Sequence, residues 1–71
     1  MKTGYSISVN RGNLESSAGF VEADSSVPIT QVLNEFVPVG VVESYVKTWH
    51  YGTRAYVVTD DGCTWIATCM N

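Results

Sequence analysis

The chain opens on a period-two pattern. Tyr5, Ile7 and Val9 alternate with Gly4, Ser6, Ser8 and Asn10, which predicts a strand with one wet face. Asn10-Arg11-Gly12-Asn13 is a turn cluster. The segment after it, Leu14 to Ala23, is interrupted by Ser and Gly but carries Phe20 and Val21, and it reads as a second strand, best defined over Gly19 to Ala23. Asp24-Ser25-Ser26-Val27-Pro28 then supplies capping residues followed by a proline, a helix-start signal. Ile29, Val32, Leu33 and Phe36 follow at i, i+3, i+4 and i+7, the apolar stripe of one short amphipathic helix. Pro38 disfavours helical geometry at Val37 and closes that helix near Phe36, after about two to three turns. So short a helix is stable only when docked.

From Val39 to Trp49 the β-branched and aromatic residues return, and His50-Tyr51-Gly52 offers a reversal. Arg54 to Val58 and Cys63 to Cys69 flank Thr59-Asp60-Asp61-Gly62, acidic turn formers before a glycine, so this last third is a β-hairpin. The order is ββαβββ in a single compact domain over residues 1–71. It is an α+β fold: an antiparallel sheet of about five strands with one short amphipathic helix packed on one face.

Which side chains face away from the helix depends on register. A three-residue loop with Gly62 left-handed pairs Val57 with Trp65 and Ala55 with Ala67; a two-residue loop pairs Val58 with Trp65. The first is preferred because it gathers Thr64 and Thr68 on the wetter face. A turn at Tyr51-Gly52 then sets Val46 against Val57 and Thr48 against Ala55 on the helix side. Tyr45, Lys47, Trp49, Arg54, Tyr56, Val58 and Ile66 face the other way. Tyr51 at the first position of a tight primed turn is unfavourable, which weakens that register. In this set Tyr45, Lys47, Trp49, Arg54 and Tyr56 are the candidate partner-binding residues. Aromatics interleaved with cations suit a protein-binding hot spot or a platform for stacked bases, and Trp49 opposite Arg54 could form a cation–π pair. A register wrong by one would instead make these residues core.

Composition adds that the surface is short of charge. Charged residues are 15% of the chain and apolar residues 45%, against about 25% charged in an ordinary soluble domain. A domain this small cannot hide every large apolar side chain, so some surface is expected to meet a partner or a second copy, and a homodimer is an expected state. A net charge of −3 with only Lys2, Arg11, Lys47 and Arg54 as cations argues against duplex nucleic acid. The lack of a long apolar run points away from membranes and toward the cytoplasm. Cys63 and Cys69 lie six apart on one predicted strand, roughly 20 Å between Cα atoms, too far for a disulfide. Two free thiols in a reducing compartment follow.

No constellation of catalytic or metal-binding residues stands out, and no cofactor or metal is expected. His50 is the only histidine and reads as a turn residue. Asp60 and Asp61 are turn chemistry with no third acidic ligand close by. Cys63 or Cys69 with His50 could imitate a thiolate pair, but buried structural cysteine is the better reading.

The layout resembles small phage-borne anti-CRISPR proteins, in particular a compact ββαβββ type that inhibits type I-F surveillance complexes. The resemblance rests on the early strand with Tyr5 and Ile7, Glu22-Ala23 before the helix, Gly40-Val41-Val42 opening the meander, and Asp61-Gly62 followed by Trp65 and Cys69. It implies a non-enzymatic inhibitor that attaches to a bacterial defence ribonucleoprotein complex in the host cytoplasm. That type presents a lysine-bearing surface; this chain has no Lys or Arg in its helix segment and only Lys47 and Arg54 in its meander, so no binding residue is transferred. The leading expectation is a protein-binding module working through the meander. The alternative is a small single-stranded nucleic-acid binder that stacks bases on Tyr45, Trp49 and Tyr56 and touches phosphates with Lys47 and Arg54.

Overall fold

The structure, a computed structural model, describes residues 1–37 and 40–70, apart from the Met70 side chain. Its elements are β1 (Lys2–Arg11), β2 (Leu14–Asp24), α1 (Ile29–Asn34), β3 (Val41–Trp49), β4 (Gly52–Thr59) and β5 (Cys63–Met70). They form one five-stranded sheet in the order β2-β1-β5-β4-β3, antiparallel throughout. This is the α+β fold with ββαβββ order that the sequence predicts. The chain leaves the sheet at one edge on β2, crosses one face as α1, and re-enters at the opposite edge as β3. The expected closing role of Pro38 and the start of the third strand at Val39 fall outside the described residues.

Both first strands exceed their predicted bounds. Leu14 to Gly19, too rich in Ser and Gly to show an apolar alternation, is nonetheless strand because it pairs with β1 almost without break. One irregularity lies between Ile7 and Ser8, where the partner jumps from Gly19 to Ser17. The helix is shorter than its apolar stripe suggests, six residues from Ile29 to Asn34. Nor do the polar residues before it cap it. Pro28 occupies the cap position without a side-chain hydrogen bond, while the Asp24 carboxylate accepts from the Ser26 N–H at 2.9 Å and its hydroxyl at 2.8 Å, closing a local turn instead.

Such a helix exists because it is docked. Val32 and Leu33 are buried against Tyr5 and Ile7 of β1, Ala55 and Val57 of β4, and Ala67 of β5. Ala55 sits directly opposite Ala67, and both are fully buried. Two small side chains at the middle of the sheet let the helix approach closely enough to bury Leu33 completely. Val21, Val27, Ile29, Phe36 and Trp65 pack around this centre.

The β4–β5 hairpin has the three-residue loop that the sequence favours. Val57 pairs with Trp65 and Ala55 with Ala67. Gly62 takes φ 87°, a conformation an L side chain resists, and its N–H donates to the Thr59 carbonyl at 3.1 Å. Asp61 fastens the tip. Its carboxylate accepts from the Thr59 hydroxyl and from the Cys63 N–H, and these two donors hold its pKa below the ordinary 3.8. The Asp60 N–H donates to the Gly40 carbonyl at 2.8 Å, tying this loop to the approach to β3.

Two outcomes are expected. Cys63 and Cys69 are both free, the first buried and the second half-buried. Thiol titration of the native protein should therefore find one promptly reacting group, and unfolding should release a second. Since the native pKa of Asp61 lies below its unfolded value, its contribution to stability is complete above the unfolded value and disappears as pH falls through the native one. Thermal melts should show Asp61→Ala less stable than the wild type near neutrality, with the gap closing on acidification below the ordinary carboxylate range. A gap independent of pH would mean that the charge of Asp61 has no part in holding the loop.

Candidate binding face

The face of the sheet away from α1 carries the five expected residues together. Tyr45, Lys47 and Trp49 alternate along β3, and Arg54 and Tyr56 along β4. The register between these strands differs from the one expected by two residues. Tyr45 pairs with Tyr56, Val46 with Ala55, Lys47 with Arg54 and Trp49 with Gly52, so the loop is His50-Tyr51. Ser44, not Val46, therefore stands opposite Val57, and Thr53, not Ala55, opposite Thr48. The cause lies in the turn. Neither His50 nor Tyr51 takes a positive φ, and Gly52 is extended strand rather than a left-handed turn residue. A slip of two preserves the alternation of faces, so each side chain still points where the sequence placed it.

The slip changes the neighbours, however. Arg54 is directly opposite Lys47 instead of Trp49, which sets two of the chain's four cations side by side. Like charges in that position repel. The aromatic residues draw them apart. Tyr45 and Tyr56 stack with ring centres 4.8 Å apart and planes 11° from parallel. Lys47 Nζ lies 5.8 Å and 5.7 Å from these two ring centres, while the Arg54 guanidinium carbon lies 5.1 Å from the Trp49 ring. Each cation thus rests on π-electron density at a distance where attraction operates. Lys47, Arg54 and Tyr45 are exposed; Trp49 and Tyr56 are half-buried by this mutual packing.

Toward the middle of the face, Ile66 is buried although no helix lies above it; its strand neighbours are Tyr56 and Ser8. Thr64 and Thr68 on its own strand and Ser6 and Ser8 on β1 surround it. At the far edge Phe20 is 67% exposed and lies across Gly4, where an added Cβ would come within 2.5 Å of the ring tip. A larger residue at position 4 would have to push the exposed Phe20 ring aside. The β2 strand contributes Glu15, Glu22 and Asp24 and no cation. Lys47 and Arg54 thus lie toward the β3 edge, which also carries Glu43, and three carboxylates lie along the β2 edge, where Asp24 pairs with Lys2.

Sequence reasoning missed one feature on the other face. Val9, Arg11, Leu14, Ser16 and Trp65 line an open cleft of about 300 Å³ beyond the reach of α1. Arg11 Nε donates to Cys63 Sγ at 3.2 Å, a contact that raises the arginine pKa, together with the nearby charge of Asp61. The buried Trp65 indole N–H finds no partner among the described residues. The sequence pattern places Arg11 in a turn and Leu14 at the start of the second strand; the strand pairing of Val9 with both Ser16 and Trp65 assembles the cleft. His50 is exposed and meets Tyr51 edge-on, consistent with a turn histidine.

Among the described residues no group of three or more His, Cys, Asp or Glu side chains is arranged to hold a metal ion, and no helix is long and apolar enough to cross a membrane. No protein-family model matches the chain, and no curated protein or solved structure is significantly similar to it.

Proposed function

We propose that this protein is a non-enzymatic binding module whose working surface is the aromatic and cationic face formed by Tyr45, Lys47, Trp49, Arg54 and Tyr56. The observation that carries this reading is the cross-strand pairing of Lys47 with Arg54. An acidic chain with four cations gains nothing in stability by setting two of them opposite each other. Such a pair makes sense as a recognition element for an anionic patch, with the flanking rings as apolar anchors.

A protein partner fits this surface better than stacked bases. The tyrosine rings each give one face to the other, and Arg54 occupies a face of Trp49, so the ring area open to a base is reduced. Ring edges, phenol hydroxyls and cations held in fixed positions suit a folded surface with carboxylates. The target class implied by the resemblance is a bacterial defence ribonucleoprotein complex, and the module would inhibit it by occupying a protein subunit.

The test uses purified type I-F surveillance complex and single-stranded oligonucleotides as two separate probes. Binding to the complex is expected, with Trp49→Ala weakening it about thirtyfold or more, as loss of a central aromatic anchor does. Lys47→Ala should weaken it less. Cooperative unfolding must first show that Trp49→Ala folds. Unchanged affinity in a folded Trp49→Ala protein would discard this face, and no binding to the complex would discard the target. Oligonucleotide binding that falls steeply with salt would establish the nucleic-acid alternative instead.

A further inference from the structure

Both edges of the sheet are open, and they are defended differently. The β2 edge carries Glu15, Glu22 and Asp24 without a cation, so pairing it with its own copy brings only like charges together. The β3 edge carries one charge of each sign, Glu43 and Lys47, on either side of Tyr45. It is also the more apolar, with Val41, Val42 and Val46 all about half exposed or more.

The backbone groups that face outward from β3 follow from its pairing with β4. Trp49 and Gly52 close a two-residue loop, so they exchange both backbone hydrogen bonds, and by alternation so do Lys47 with Arg54 and Tyr45 with Tyr56. The N–H and C=O groups of Ser44, Val46 and Thr48 therefore point away from the sheet. We infer that a second copy of this chain pairs with this edge, antiparallel and about a two-fold axis beside Tyr45, to make a continuous ten-stranded sheet.

The charges select this register. With Tyr45 opposite its own copy, Glu43 of each chain stands opposite Lys47 of the other, giving two ion pairs. Centred on Glu43 or Lys47 instead, the pairing sets like charges together, and centred on Ser44 or Val46 it leaves both charges without a partner. In the favoured register Ser44 and Val46 of opposite chains exchange the backbone hydrogen bonds. Tyr45 and the charged residues then occupy the closer, non-hydrogen-bonded positions, where side chains meet best. The interface is isologous and closes at two copies. The bulge between Val41 and Glu43 limits pairing beyond the ion pairs, which discourages further growth along the edge. Edge pairing engages Lys47 with Glu43 of the second copy but leaves the rings and Arg54 uncovered, with the Tyr45–Tyr56 stacks of the two copies side by side.

Sedimentation equilibrium of the purified protein tests this at concentrations up to the order of 100 µM. The wild type should be a dimer. Glu43→Lys alone and Lys47→Glu alone should each weaken dimerisation by about tenfold to a hundredfold, since each turns two attractions into two repulsions. The double reversal should restore the dimer to within a few fold. Val46→Pro removes an outward N–H that β4 does not use, and it should give a folded monomer. Circular dichroism melts establish that each variant folds, and should the proline variant fail to, the charge reversals decide alone. A monomeric wild type, or a double reversal as weak as the single ones, would overturn the proposal.

Discussion

A six-residue helix can cover only one face of a five-stranded sheet, and the other features of this molecule follow from that limit. Beneath the helix the Ala55–Ala67 pair makes room for Leu33, and the buried centre spans β1, β5 and β4. The outer strands receive little of this cover. Most of β2 and β3 is exposed as a result. On the uncovered face the sheet has to shield itself with its own side chains. Ile66 is buried there beneath cross-strand neighbours, Tyr45 and Tyr56 stack, and Phe20 lies down over Gly4.

This self-covering explains how a like-charge pair is tolerated. Two exposed charges several ångströms apart repel by about 1 kcal/mol or less in a water-like dielectric. An exposed cation over an aromatic ring recovers about 0.5–1 kcal/mol. Lys47 Nζ, nearly equidistant from two stacked rings, can lie over the face of one of them, and Arg54 lies near one ring, so each attraction is of the same order as the repulsion and offsets it. The result is a cationic site whose geometry is set before any partner arrives, which lowers the entropy lost on binding.

Much of this was legible in the chain. Alternation in Tyr5-Ser6-Ile7 and Tyr45-Val46-Lys47 is a direct imprint of the pleat, and it assigns faces even when register is wrong by two. Pairing partners are a different matter, because turns of different centre leave the same alternation; the cross-strand pairing of Arg54 with Lys47 was hidden for that reason. The Ser-rich first half of β2 has no apolar signature because an exposed edge strand needs none. The capping expectation for Asp24 failed since its carboxylate reaches Ser26 first. The cleft around Trp65 and Arg11 depends on strands distant in sequence, which local patterns do not join.

The cations of the uncovered face are held against aromatic rings in the free protein. Proton chemical shifts of the Lys47 ε-methylene and the Arg54 δ-methylene test this directly, because a group above a ring is shifted upfield by the ring current. Both methylenes should be upfield of their unfolded positions, with Lys47 returning toward the unfolded value in Tyr56→Leu and Arg54 unaffected by that change. Methylene shifts at unfolded values in the wild type would contradict this, since the face would then be a set of independent side chains.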